Sequence, residues 1–275
     1  NGDQLGRDRM DLRTFLAKHP VFTRSELDSA LAGDYSAGKT TGNARLQYHL
    51  KKGHIIQIKR GLYAAVPTGE DPDSFTPDPY LVTTKLASDA VIAYHSAFQL
   101  LGRAYSLSND YIFLSDQTVR PHQFRGCRFR RVAHPQPLRS AGERLFGIET
   151  VERQGLDVRV TSFERSLVDL LDRPHLGGSW EEIWRSLESV EYYNIDHVTT
   201  YAVLLNNATT AVKVGFFLEQ HQKELMVGEE YLARLRRCRP RHPHYMEKGK
   251  EGRLMSDWNL IVPETLLHRV WEGEG

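Results

Sequence analysis

Gly33-Asp34-Tyr35-Ser36-Ala37-Gly38-Lys39-Thr40 matches, letter for letter, the pattern of a loop that wraps nucleotide phosphates in backbone N–H groups. That chemistry needs a buried strand before the loop, whereas Ser25 to Ala32 have helical character. No apolar run ending in Asp follows in a parallel α/β context; Ile112-Phe113-Leu114-Ser115-Asp116 is the nearest imitation. The segment is expected to be a glycine-rich connection between helices, with Lys39 and Thr40 within reach of a phosphate from outside. A P-loop nucleotidase is the remote alternative. His242-Pro243-His244 has no Cys or acid at ligand spacing, and Cys127 and Cys238 are too few for a thiolate zinc site or a disulfide framework. No metal and no cofactor is expected. His95 beside Ser96 in an apolar stretch reads as a buried, satisfied histidine, and Glu164, Arg165, Asp169 and Asp172 read as internal ion pairing. No catalytic residue is assigned, and the chain is not expected to be an enzyme.

The basic residues are more informative than these motifs, because they are sorted along the chain. The formal net charge is only +1 over 275 residues. Yet residues 34–67 carry six Lys/Arg against the single acid Asp34, and residues 117–142 carry six arginines and no acid. Residues 231–241 hold five more arginines without an acid, while residues 143–196 run the other way, with twelve acids against six bases. Such stripes suit polyanions or an acidic protein partner. Apolar residues at 40% and charged residues at 26% argue against wholesale disorder. The longest apolar runs are too short to span a bilayer. Asn1 to Asp11 is polar and charged, so no secretory hydrophobic segment is expected there. A cytoplasmic protein with no membrane association is the expectation.

The elements that would position the first basic stripe are legible. Leu12, Phe15 and Leu16 sit at helical spacing and stop before Pro20. Thr23 with Glu26 forms a capping-box pattern ahead of Leu27, Ala30 and Leu31. A third helix is expected from about Thr41 to Lys52, stopped by Gly53. Ile56, Ile58, Leu62, Ala64 and Val66 then alternate across Lys59-Arg60-Gly61 as a two-stranded hairpin. Three helices and a hairpin follow the order of a winged helix-turn-helix. On the third helix Asn43, Leu46 and Leu50 fall toward the core, and Thr41, Arg45, Tyr48 and Lys52 fall outward with Lys51 beside them. Those side chains, with Lys59 and Arg60 on the hairpin turn, can reach base edges and phosphates from the major groove.

Residues 67–79 hold four prolines and four acids and read as a stiff acidic linker. The expected division is a DNA-binding domain over 1–67, a linker over 68–79 and a larger domain over 80–275. The larger part reads as mixed α and β, mostly helical toward its C-terminus, making the chain α+β. Helix is expected over 89–101, strands over 111–114 and 125–132, and a hairpin over 151–161 around Gln154-Gly155. Helices follow over 162–171, 179–190, 196–206, 208–224 and 228–238, then a short strand over 258–262. Arg128, Arg130 and Arg131, with Arg234, Arg236 and Arg237, are the candidates for a partner-binding surface.

Several strings resemble one family. Lys59-Arg60-Gly61-Leu62-Tyr63 resembles the hairpin of AbiEi-type antitoxins, and Ala93-Tyr94-His95-Ser96-Ala97 with Leu100-Leu101-Gly102 resembles the helix opening their second domain. Thr161-Ser162-Phe163-Glu164-Arg165-Ser166-Leu167-Val168-Asp169-Leu170-Leu171, then Gly177-Gly178, is similar to their C-terminal core, and Trp258-Asn259-Leu260-Ile261-Val262-Pro263 to its end. The resemblance implies an antitoxin and transcriptional repressor of a bacterial type IV toxin–antitoxin system. Its winged helix would bind the operon's own promoter, as double-stranded DNA with inverted repeats. Its C-terminal domain would counteract a nucleotidyltransferase-like toxin, AbiEii. The Gly33–Thr40 connection departs from the family pattern. A stand-alone transcription factor with a ligand-sensing C-terminal domain is the alternative.

Overall fold

Thr23 closes one element and opens the next. Its side chain and backbone exchange hydrogen bonds with Glu26: Thr23 N–H donates to Oε2 at 2.7 Å, and Glu26 N–H donates to Thr23 Oγ1 at 3.2 Å. This reciprocal cap starts α2 directly after a short strand. The computed structural model describes residues 12–30 and 39–269, with residues 39–42 described by their backbone alone. Its first elements are α1 (Leu12–Lys18), β1 (Val21–Thr23), α2 (Arg24–Ala30), α3 (Lys39–Lys51), β2 (Ile55–Lys59) and β3 (Leu62–Ala65). The antiparallel hairpin β2–β3 turns at Arg60-Gly61, where Gly61 takes a φ of +81°. It gains a third strand that the sequence did not announce: β1 pairs with β3, giving the order β1-β3-β2.

The alternation of this small sheet gives it two covered faces. Phe22, Ile55 and Tyr63 pack with Phe15, Leu27 and Leu46 of the three helices. Val21, Ile56, Ile58, Leu62 and Ala64 point the other way, into a cluster with Tyr80, Leu81, Val82 and Leu86 of α4 (Pro79–Leu86). That same cluster takes in Phe113, Phe129, Val158 and Val160 of a larger sheet. Lys85 of α4 is also paired with Glu26 in the α2 cap. The segment 67–79 runs between the two bodies, and they share one apolar cluster across it. A proline-rich acidic stretch sets local chain stiffness, and it does not say what the flanking surfaces bury.

The larger sheet is mixed and ordered β6-β7-β5-β4-β9-β8. Its strands are β4 (Val91–Ile92), β5 (Asp110–Leu114), β6 (His122–Phe124), β7 (Cys127–Val132), β8 (Ile148–Arg153) and β9 (Leu156–Thr161). The expected helix over 89–101 is in fact two elements. Val91 and Ile92 form a central strand against Leu114 and Phe113, and the helix α5 covers only His95–Leu100. Tyr94 makes the break with a φ of 57°. On the sheet's second face, Val91, Ile112 and Leu114 join the main core with α7 (Phe163–Asp172), α8 (Trp180–Glu188), α9 (Ile195–Leu204), α10 (Ala208–Gln220) and α11 (Glu229–Arg236). The short α6 (Gln136–Ala141) precedes β8. At the far end β10 (His244–Tyr245), β12 (Leu260–Val262) and β11 (Arg253–Met255) form a small sheet before α12 (Glu264–Leu267). Mixed α and β architecture, with helices dominating the C-terminal half, is as expected.

Gly215 shows how closely this end packs. A Cβ on it would overlap the ring of the fully buried Trp258, so a helix interior carries a glycine despite its cost.

Candidate nucleic-acid interface

Helix α3 has little apolar content, and it is held by Leu46 in the core and Leu50 at its edge. It ends where Gly53 enters the left-handed region at φ +70° and His54 N–H returns to the His49 carbonyl at 3.0 Å. Gly53 is required twice, because a Cβ there would also overlap the Pro72 ring. With Leu46 turned inward, Arg45, Tyr48, Lys51 and Lys52 are exposed as the spacing predicts. Tyr48 is 54% exposed, with the Lys52 ammonium 6.0 Å from its ring centroid. Asn43 is the exception. It faces solvent, where its Oδ1 accepts from Arg24 at 2.8 Å and ties α2 to α3. A single polar side chain near the helix start has no reason to follow the apolar face.

Lys59 is half-buried and Arg60 exposed on the β2–β3 turn. Neither Lys51, Lys52 nor Arg60 has an ion-pair partner among the described residues. The backbone of Lys39, Thr40 and Thr41 opens α3, but their side chains lie outside the described residues, as does Gly33–Gly38. The arrangement offers cations, an aromatic ring and a protruding turn on one acid-free stretch, since Asn43 to Arg60 contains no Asp or Glu. Such a set can pair with phosphates and with base edges.

Two features of this region gave no sequence signal. His49 and His54 approach Nδ1 to Nδ1 at 2.9 Å, so one ring donates and the other accepts. Burial, with the nearby His54 and Arg45, holds His49 below the ordinary histidine range. They border a cavity of about 700 Å³ shared with Leu12, Leu16, Pro20 and Val66. Secondly, His122 of β6 lies near the Ile58 backbone and Lys59 of β2, where burial and then the Lys59 charge hold its imidazole below the ordinary histidine range, and its buried Nε2 has no hydrogen-bond partner among the described residues.

The expected partner surface is dispersed and mostly engaged. Arg130 reaches Asp110 at 3.0 Å and Arg128 the same carboxylate at 3.8 Å, while Arg131 donates to the Ser115 carbonyl at 2.9 Å. Arg234 contacts Asp196 at 3.5 Å and Thr200 at 3.1 Å. Arg236 bonds Glu219 at 2.9 Å, pairs with Glu229 and stacks on Trp258. Of these six arginines, Arg237 alone has no partner among the described residues. Their acids lie outside the arginine stretches, 7 to 38 positions away in sequence, so the stretches look uncompensated when read along the chain.

The remaining polar motifs are mainly structural. Arg165 is fully buried, donating to the carbonyls of Phe146 at 2.7 Å and Arg144 at 3.0 Å and lying 3.4 Å from Asp169. Tyr201 donates to Asp169 at 2.6 Å; burial pushes the Asp169 carboxyl up, with Arg165 opposing. His95 bonds Glu182 through Nε2 at 2.9 Å, while its buried Nδ1 has no partner among the described residues, so this histidine is only half satisfied. Among the described residues no group of three or more His, Cys, Asp or Glu is placed to hold a metal ion, and no helix is long and apolar enough to cross a membrane.

No protein-family model matches the chain, and no curated protein matches it. Among solved structures, the crystal structure of the Rv2827c protein from Mycobacterium tuberculosis is similar, with a TM-score of 0.61 and 18% identity over 94% of this chain and 92% of that one. At that identity the likeness concerns the fold alone.

Proposed function

We propose that residues 12–66 form a winged helix-turn-helix that binds double-stranded DNA. On this reading the whole chain represses its own promoter and acts as an antitoxin against a nucleotidyltransferase-like toxin, with no catalytic role. The observation that carries the DNA-binding part is the acid-free face of α3, with Arg45, Tyr48, Lys51 and Lys52 exposed beside a turn bearing Lys59 and Arg60. In this reading α3 enters the major groove and the β2–β3 turn is the wing. The antitoxin part is supported by the resemblance of the strings around Tyr94, Arg165 and Trp258 to AbiEi-type proteins.

Gel shifts of the full chain on the DNA upstream of its own gene test the first part. Binding should weaken steeply with salt, because phosphate contacts release counterions. Arg45→Ala or Tyr48→Ala should relax sequence preference by about 1–3 kcal/mol for each base that is no longer read. Lys52→Ala should instead weaken all sequences alike. Binding that is absent or insensitive to salt would overturn the reading. Growth on co-expression with a neighbouring nucleotidyltransferase-like gene product tests the second part, and failure to rescue removes the antitoxin assignment.

The cavity beside His49 and His54 favours a second reading, a ligand-responsive transcription factor. Its volume suits a small molecule. It lies against the helix that would read DNA, not in the C-terminal half where the sequence leads one to expect a sensing domain.

A further inference from the structure

The basic residues of 117–142 are not equivalent. Five of the six arginines are occupied. Arg128 and Arg130 share Asp110, and Arg131 serves the Ser115 carbonyl. Arg125 donates to the Pro72 carbonyl at 2.5 Å and covers the Phe124 ring, and Arg139 bonds Gln136 within α6. Arg120 is exposed and has no hydrogen bond or ion pair among the described residues.

Its place on the molecule follows from two contacts on either side of β6. His122 sits against Ile58 and Lys59, at the turn end of β2. Arg125 holds Pro72, whose ring covers Gly53 at the opposite, leading end of β2. The segment from His122 to Arg125 therefore runs alongside β2 in the opposite direction. Arg120 is two residues upstream of His122, so continuing that direction leads toward the end where the β2–β3 turn carries Lys59 and Arg60. An exposed arginine alone signifies nothing. Lys59, Arg60 and Arg120 have no ion-pair partner among the described residues, and the course of β6 past β2 would bring the third, from a distant part of the chain, toward the turn that carries the other two.

We propose that the DNA-contacting surface continues from the β2–β3 turn onto β6, and that Arg120 makes an additional phosphate contact. This rests on the DNA-binding reading above and deepens it, since the body beyond residue 80 then takes part in holding DNA. Arginine suits the role, because its planar fork pairs with two phosphate oxygens at once and is always charged. The contact would position the duplex without reading sequence.

The test uses the full chain and a labelled duplex of arbitrary sequence, with affinity followed by fluorescence anisotropy across a salt series. Each phosphate contact contributes about 0.9 to the slope of log affinity against log salt. Arg120→Ala should lower the slope by about that amount and weaken binding about fivefold near 0.15 M salt. Arg139→Ala, which removes the same charge from α6, should leave the slope unchanged, and melting curves should show all variants equally folded. If wild type binds and Arg120→Ala keeps its slope, the extension onto β6 is wrong while the helix and wing stand. Equal losses from Arg120→Ala and Arg139→Ala would also overturn it, because a general charge effect would then explain both. If wild type shows no salt-dependent binding, it is the DNA-binding reading itself that fails.

Discussion

Two arginines of one chain can have opposite reasons to exist. Arg165 is sealed from water, and its charge is balanced by Asp169, two backbone carbonyls and the ring of Tyr201 at 5.4 Å. Arg60 faces solvent with no partner among the described residues. Removing the first leaves a buried carboxylate without its counter-charge, which typically costs about 3–5 kcal/mol. Arg165→Met is therefore expected to lower the urea midpoint severely. Arg60→Ala should change stability by less than about 0.5 kcal/mol while weakening DNA binding. Matched denaturation and binding curves distinguish the two, and a stable Arg165→Met protein would refute the role given to that ion pair. Sequence alone separates these residues poorly. The i,i+4 spacing of Arg165 and Asp169 is visible, but the pairings of Arg130 with Asp110 and Arg236 with Glu219 join residues 20 and 17 positions apart. Charge runs in sequence are not charge patches in space.

At the level of elements, the contact between α10 and the end of α7 sets a dependence on pH. Lys213 of α10 is buried, with Nζ 3.3 Å from the Leu171 carbonyl and 5.6 Å from the Trp180 ring centroid. Burial pushes its ammonium down from 10.5 to about 8, against the pull of Asp172. Between those values the unfolded chain holds a proton that the folded chain has released, so stability rises with pH across that window. Below about pH 8 both states are protonated and Lys213 carries a constant penalty. Denaturation midpoints measured from about pH 8 to 10.5 should climb in wild type and lose that rise in Lys213→Met. A wild-type midpoint that falls throughout would contradict the assignment. The elements themselves are mostly readable from sequence. Strong amphipathic repeats mark α7 and α8, and Gln154-Gly155 marks the β8–β9 turn. Val91-Ile92 is not readable, because a two-residue strand inside an apolar stretch carries no period of its own. Likewise β1 is too short to show alternation, and its pairing with β3 is a tertiary fact.

For the molecule as a whole, the shared cluster changes what cutting the chain should do. Residues 80–275 alone would open the cluster beside α4 that Val21, Ile56, Ile58, Leu62 and Ala64 now help to close. The full chain is therefore expected to unfold in one calorimetric transition, with residues 12–66 and the larger body melting together. Two separated transitions, one at the melting point of an isolated 1–67 fragment, would show that the cluster couples them weakly. The same reasoning alters the use of Arg234, Arg236 and Arg237 as a surface probe. Reversing Arg236 would set an acid beside Glu219 and Glu229 and remove its stacking on Trp258, so loss of function in a triple variant would report on folding. Arg237 alone is the clean probe.

The doubly covered small sheet also bears on how such a chain can change over generations. A DNA reader on a free tether can be recombined with new partners, because severing it exposes nothing. Here a transplant would carry Val21, Ile56, Ile58, Leu62 and Ala64 with no α4 to receive them. Residues 12–66 and the body behind them must be inherited as a pair. A substitution on the inner side of α4 is then also a substitution beneath the small sheet whose other face carries α3, and drift in either half is constrained by the other.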